Sequence, residues 1–84
     1  MTNNYGARLN AAVAAELRAE RGAVGMTIAQ VIEKSGIGKS QILRLLNNQR
    51  AIDMNDLALI SHALDVEPND IMGRAQARLN REDA

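Results

Sequence analysis

The chain of 84 residues contains no cysteine, tryptophan or phenylalanine, and Tyr5 is its one aromatic residue. Without cysteine there is no disulfide framework, no thiolate chemistry and no cysteine-based zinc site, a composition typical of cytosolic proteins. Hydrophobic residues still make up 46% of the chain, so a core has to be built from aliphatic side chains and alanine. These residue types favour helices, and a helical bundle is the economical way to give so short a chain a core.

Long apolar runs are also missing. No run approaches membrane-spanning length, and residues 1–15 carry no basic segment followed by an apolar one. We therefore expect neither a membrane partner nor a signal peptide, and a cytoplasmic location. No stretch alternates convincingly between apolar and polar residues as a half-buried strand would, so the expected fold class is all-α.

The formal net charge is zero, but the two signs are unevenly distributed along the chain. Residues 1–52 carry seven basic and three acidic side chains, whereas residues 53–84 carry three basic and seven acidic ones. A chain with one basic half is compatible with a polyanionic partner. Ordinary solvated surface charge would produce the same pattern.

Apolar residues spaced three or four apart predict five helices. They run over 7–21, from Thr27 to Gly36, over 39–47, from a cap at Asp53 or Asn55 through Leu64, and from Pro68 onward. Threonine, aspartate and asparagine suit helix starts, glycine suits a left-handed helix end, and proline suits a first helical position. Residues 1–6 are expected to be a disordered lead, residues 7–72 the domain, and residues 73–84 a helical extension, a tail or a linker.

The segment GIGKS at 36–40 looks like the end of a phosphate-binding loop, G-x-x-x-x-G-K-[ST]. In such a loop the first glycine would fall on Glu33, which puts a carboxylate where the motif needs bare backbone near an anion. The preceding segment reads as a helix rather than a buried strand, and no later apolar strand ends in an aspartate for magnesium. The pattern therefore argues against nucleotide binding.

Two short helices joined by a glycine-containing turn are instead typical of a helix-turn-helix, whose second helix can enter the DNA major groove. The apolar residues expected to lock the two helices together are Val31, Ile32, Ile37, Ile42 and Leu45. Gly36 provides the turn. Lys39, Ser40 and Gln41 provide a polar start to the second helix, with Arg44 one turn further on.

Three motifs in this order resemble the phage-repressor and Cro-like family, also called the xenobiotic-response-element family. They are LRAER at 17–21, GMTIAQVIEKSGIGKSQILRLLNNQR at 25–50 and LALISHALDVEPNDI at 57–71, and together they span nearly two thirds of the chain. The resemblance implies a compact five-helix bundle of the lambda-repressor-like DNA-binding type. It also implies that residues 27–35 form the positioning helix and residues 39–47 the recognition helix.

The candidate base-reading residues are Lys39, Ser40, Gln41 and Arg44. Lysine can reach guanine acceptors and glutamine can reach adenine, while the serine and the arginine suit either a base or a phosphate. The residues that lie where family members grip the phosphate backbone are Thr27, Asn47, Asn48, Gln49 and Arg50. For each of these five, a capping or turn role explains the residue equally well.

The chain departs from the family pattern in ways that bear on these contacts. Ile28 occupies the place of a glutamine that often holds a DNA phosphate, which isoleucine cannot do. Many relatives pair an arginine matching Arg21 with a glutamate near the end of the recognition helix, but here that position is Leu46, which we expect to pack. Asn48 takes the place of the glycine that usually follows the recognition helix.

We interpret the sequence as a sequence-specific double-stranded DNA-binding transcriptional regulator, a phage or bacterial repressor, that reads the major groove with helix 39–47. It is not expected to be an enzyme, and we assign it no cofactor, no small-molecule substrate and no metal site, since His62 has no second ligand. The alternative is a protein-interaction module, such as an antitoxin or adaptor, on the same scaffold. Leu43, expected on the outer face of the recognition helix, hints that way.

Dimerisation stays open. The candidate interface is helix 69–80, with Ile71, Met72 and Leu79, and it offers little apolar surface. A monomer and a weak homodimer that pairs only on DNA are both compatible with the sequence.

Overall fold

The computed structural model describes residues 4–83, which form five α-helices and no strand. The helices are α1 (Tyr5–Val24), α2 (Ile28–Ser35), α3 (Lys39–Leu46), α4 (Met54–Ala63) and α5 (Pro68–Asp83). The expected all-α, five-helix architecture is therefore confirmed. Between residues 4 and 83, no helix is both long enough and apolar enough to cross a membrane.

Helix α1 extends beyond both ends of the predicted segment 7–21. It begins at Tyr5, so Tyr5 and Gly6 belong to a helix rather than to the disordered lead expected over 1–6, of which residues 1–3 lie outside the described residues. Its other end runs through Gly22, and Gly25 takes the left-handed conformation with a φ of 70°. The residues that extend the helix at either end, 5–6 and 22–24, are exposed.

Helix α5 continues to Asp83 and packs antiparallel to α1. Its inward residues Ile71, Ala75 and Leu79 are spaced four apart and are buried. Ile71 and Leu79 are 0% and 3% exposed, so they cannot form the dimer interface that the sequence suggested for helix 69–80. Helix α1 covers this face of α5 within a single chain, Met72 is half-buried, and dimerisation stays a prediction.

Three ion pairs hold α5 in register along α1. They join Arg8 to Asp83 at 2.6 Å, Arg74 to Glu20 at 2.6 Å and Arg78 to Glu16 at 2.5 Å. The hydrogen bonds to Asp83 and Glu20 raise the pKa of Arg8 and of Arg74, so both guanidinium groups stay charged. Surface ion pairs contribute little stability individually, but here they pair two of the three arginines of α5, Arg74 and Arg78, with carboxylates of α1.

The core is aliphatic and draws on all five helices. Its largest fully buried apolar side chains are Leu17, Val31, Ile42, Leu45, Ile60, Leu64 and Ile71. Leu46 is 3% exposed, which confirms the expectation that it packs.

Helix α4 begins with the local chemistry that the sequence suggested. Asp53 is the N-cap, and its Oδ1 accepts from the Asp56 N–H at 2.7 Å while Asp56 Oδ2 accepts from the Asp53 N–H at 3.2 Å. The two carboxylates are therefore helix-start groups that satisfy orphan backbone donors. Asp53, rather than Asn55, makes the cap.

Ser61 is the one buried side chain among residues 4–83 whose polar atom has no hydrogen-bond partner. It lies on α4 and is 0% exposed. Burying a hydroxyl group without a partner costs about 1–3 kcal/mol by mutational measurements. Serine is also about 0.5 kcal/mol less favourable than alanine inside a helix.

We therefore expect Ser61→Ala to raise the free energy of unfolding by about 1 kcal/mol. For a domain of this size that corresponds to a melting temperature about 4–8 °C higher, measurable by circular dichroism. Ser40→Ala is the matched control, because Ser40 is exposed on α3 and its replacement changes helix propensity without removing a buried hydroxyl. A lower melting temperature for Ser61→Ala would contradict the prediction.

Candidate nucleic-acid interface

Helices α2 and α3 form a two-helix unit whose turn is held by local hydrogen bonds. Helix α2 starts with a capping box in which Thr27 Oγ1 accepts from the Gln30 N–H at 3.1 Å and Gln30 Oε1 accepts from the Thr27 N–H at 2.8 Å. It ends at Gly36, whose φ of 75° lies in the left-handed region that favours glycine. Ser35 Oγ accepts from the Ile37 N–H at 3.1 Å and tightens the turn into α3.

The residues expected to lock the two helices do so. Val31, Ile42 and Leu45 are each 0% exposed. Ile32 and Ile37 are half-buried and pack against the same core. The orientation of α3 is therefore fixed by the interior of the bundle rather than by its surface.

The outer face of α3 is polar. Its inner face consists of Ile42, Leu45 and Leu46, which are buried. Because successive helical residues are about 100° apart, Ser40 and Arg44 lie opposite this buried face, and Lys39 and Gln41 flank them on either side. All four are exposed. Leu43, expected on the outer face, is half-buried.

Every terminal carbonyl of α3 has a hydrogen-bond partner. The last four carbonyl groups of a helix have no partner within the helix itself. In α3 three of these four accept from the backbone N–H groups of residues 47–49, at 2.8 to 3.3 Å, with Asn48 in the left-handed conformation at a φ of 57°. The fourth, on Leu46, accepts from Nη1 of Arg18 on α1 at 2.5 Å.

The loop after α3 is held to α1 by Asn10. Its Nδ2 donates to Asn48 Oδ1 at 2.8 Å and to the Arg50 carbonyl at 3.5 Å, while its Oδ1 accepts from the Ile52 N–H at 2.7 Å. One amide side chain thus reaches three points of the segment 48–52. This segment carries three of the five candidate phosphate contacts, namely Asn48, Gln49 and Arg50.

One base-reading candidate contacts one phosphate candidate directly. Nη1 of Arg50 donates a hydrogen bond to Oε1 of Gln41. The two residues are nine apart in sequence, and the contact crosses from the loop back to the first turn of α3.

All nine residues singled out from the sequence are exposed. Four of them also have local roles: Thr27 caps α2, Asn48 occupies the left-handed position after α3, and Arg50 and Gln41 contact each other. The bundle therefore presents the nine on its surface along α3 and at the two helix ends. Their contacts with DNA stay predictions.

Charge is separated between this unit and the next part of the chain. Residues 27–50 carry four basic side chains and one acidic one, a balance of +3. Residues 51–73 carry five acidic side chains and neither lysine nor arginine. Most of the charged side chains of α1 and α5 form ion pairs between the two helices, so they have little effect on this separation of charge.

Three residues that position the unit were missed by sequence reasoning. Gln30 could have been found, since threonine followed three residues later by glutamine is a capping-box signature. Asn10 and Arg18 act on residues 28 to 42 positions away, and nothing in the local pattern marks them.

The departures from the family pattern each have a structural use. Ile28, in place of a phosphate-holding glutamine, is half-buried and packs against the core. Arg21, which lacks the glutamate partner of many relatives, donates from Nη1 to the Met26 carbonyl at 2.9 Å and stabilises the link between α1 and α2.

A glycine turn between two locked helices, with a basic and polar outer face on the second, defines a helix-turn-helix protein. The chain belongs to the helix-turn-helix family, whose model matches residues 17–71. These are also the bounds of the resemblance found in the sequence, which is confirmed.

A solved structure supports this assignment. The crystal structure of the clp gene regulator ClgR from C. glutamicum is similar to this chain, with 26% sequence identity and a TM-score of 0.78. The similarity covers 83% of this chain and 91% of that one. Among curated proteins, no sequence matches this chain.

The position of the loop after α3 should depend on Asn10. We expect Asn10→Ala to lower the free energy of unfolding by about 1–2 kcal/mol, because hydrogen bonds to Asn48 and to the Ile52 N–H are lost. The exchange of the Ile52 amide proton with solvent should become faster, which nuclear magnetic resonance can follow residue by residue.

Two further variants distinguish the loss of the Asn10 hydrogen bonds from a general loss of stability. Asn10→Asp keeps the oxygen that accepts from the Ile52 N–H but removes the donor to Asn48, so Ile52 should remain protected. Asn80→Ala, at an exposed position on α5, should not lower the free energy of unfolding and should leave the exchange of Ile52 unchanged. Unchanged protection of Ile52 in Asn10→Ala would rule out the proposed role of Asn10.

Proposed function

We propose that this protein is a sequence-specific double-stranded DNA-binding transcriptional regulator, a repressor of phage or bacterial type that acts in the cytoplasm. Helix α3 enters the major groove, where Lys39, Ser40, Gln41 and Arg44 meet base edges. Thr27 and residues 47–50 hold the flanking phosphates. Repression follows when the bound protein blocks the access of polymerase to a promoter.

The observation that carries the proposal is the polar outer face of α3, bordered on both sides by exposed groups that suit phosphate. The +3 balance of residues 27–50 attracts a polyanion to this side of the molecule. The acidic stretch of residues 51–73 would repel DNA, so it disfavours binding in other orientations. Family membership and the similarity to a gene regulator point to the same class of activity.

The proposed phosphate contacts and base contacts have different roles, as they do in other DNA-binding proteins. Phosphate contacts fix the register of α3 along the groove without reading sequence. Base contacts then discriminate, and each good side chain–base pair contributes about 1–3 kcal/mol of selectivity. The Thr27 hydroxyl group accepts from Gln30 N–H, and its own proton is free to be donated to a phosphate oxygen.

A protein-interaction module on the same scaffold would need an exposed apolar patch. The large apolar residues that are exposed within residues 4–83 are Tyr5, Val24, Met54 and Leu59. They lie on α1 and α4, none lies on α2 or α3, and Leu43 is half-buried. The outer face of α3 therefore suits a polar partner better than an apolar one.

Selection from a random duplex library tests the proposal directly. We expect the protein to enrich a defined motif, and protein carrying both Lys39→Ala and Gln41→Ala to lose the motif or alter it. An enriched inverted repeat would indicate binding as a dimer, and a single asymmetric site would indicate a monomer.

Arg81→Ala is the matched control, because it removes a cationic side chain that is exposed near the far end of α5. It should leave the motif unchanged. Salt titration provides a second check, since each phosphate neutralised by lysine or arginine adds about 0.9 to the slope of log K against log salt. Binding to DNA that depends on salt but enriches no motif would contradict the proposal and favour the protein-interaction module.

A further inference from the structure

The contact between Gln41 and Arg50 determines which atoms Gln41 can offer to DNA. A guanidinium group has donors only, so the amide atom that faces Arg50 has to be the oxygen of Gln41. The remaining polar group of the side chain is the NH₂ group, which is a pure donor. Gln41 is exposed on the flank of α3, so this donor faces solvent.

Arg50 is not a loose surface residue. Its carbonyl group accepts from Asn10, and the neighbouring positions 48 and 52 of the same loop are tied to the same amide side chain. The backbone turn before it is closed by the hydrogen bond from Gln49 N–H to the Arg44 carbonyl at 2.8 Å. The base of the Arg50 side chain is therefore fixed relative to α3.

We propose that Arg50 is a positioning residue that makes Gln41 a hydrogen-bond donor, so that Gln41 selects guanine rather than adenine at the base pair it meets. This inference rests on the proposed function. It revises the expectation from sequence, which matched a free glutamine to adenine.

The chemistry of the base edges explains the choice. Adenine offers an acceptor at N7 and a donor at N6, so a glutamine reads it by accepting and donating at the same time. With Arg50 on the amide oxygen, the N6 amino group of adenine would lie beside a guanidinium cation, donor against donor. Guanine offers acceptors at both N7 and O6, which match the Gln41 NH₂ group and the adjacent positive charge.

The experiment compares the selected motifs of four proteins: wild type, Gln41→Ala, Arg50→Met and the double variant. The position read by Gln41 is the one whose base preference disappears in Gln41→Ala, and the wild type should prefer a G·C pair there. Arg50→Met removes the donors and the charge but keeps an unbranched stem. It should lower the ratio of guanine to adenine at that position by about tenfold or more, the range of one good side chain–base pair.

The double variant distinguishes positioning from direct reading. If Arg50 acts through Gln41, Arg50→Met should not change the preference at this position once Gln41 is alanine. If Arg50 reads guanine itself, a guanine preference should vanish in Arg50→Met and persist in Gln41→Ala, so that no position loses its preference in Gln41→Ala, which would overturn the inference. Arg81→Met makes the same replacement at an exposed position near the far end of α5, outside the proposed interface, so it is the control and should leave the ratio unchanged.

The selected motifs show whether the further inference or the proposed function has failed. A clear wild-type motif with adenine at the Gln41 position, or a uniform loss of affinity in Arg50→Met without any change of base, overturns the inference and leaves the proposed function standing. The absence of any motif in the wild type overturns the proposed function itself. Arg50 and Gln41 are both exposed, so melting curves of the variants should match the wild type.

Discussion

Helix α3 has only eight residues, and a helix this short is not stable in water on its own. Its existence and its direction therefore depend on contacts from outside. Ile42, Leu45 and Leu46 hold one side in the core, and all of the four carbonyl groups at its end are satisfied. The last of these hydrogen bonds comes from Arg18 on α1. The orientation of α3 therefore depends on α1 as much as on the turn that precedes α3. Any DNA reading by this protein depends on that attachment.

Contacts within the same bundle also separate the basic side chains from the acidic ones. The arginines at 74 and 78 of α5 are used in ion pairs with α1, and the acidic residues at 53 and 56 are used at the start of α4. The basic side chains of residues 27–50 form no ion pair, although Arg50 contacts Gln41. A chain with no net charge can thereby present one basic surface, because its opposite charges are satisfied elsewhere or held on the acidic stretch 51–73.

Sequence reasoning succeeded where the signal was local. The glycine at 36, the caps at 27 and 53 and the apolar spacing within each helix lie within a few residues of what they determine. These signals also explain GIGKS, which is the turn and the start of α3 rather than a phosphate loop. The contacts of Asn10 and Arg18, and the docking of α5 on α1, join residues 28 to 75 positions apart. Segment 73–83 has one large apolar residue, Leu79. It also packs through Ala75 and through ion pairs, and these contacts leave no clear apolar pattern in the local sequence.

The contact between Gln41 and Arg50 limits how far base specificity can be derived from a recognition helix alone. A side chain–base code assumes that each side chain meets DNA with all of its polar atoms free. A glutamine has an acceptor and two donors, and a neighbour that occupies the acceptor changes the base it fits. Arginine is the neighbour best suited to do so, because it cannot accept and does not lose its charge. The residue that decides the base can thus lie outside the helix, in a loop whose own position is set by Asn10 on α1.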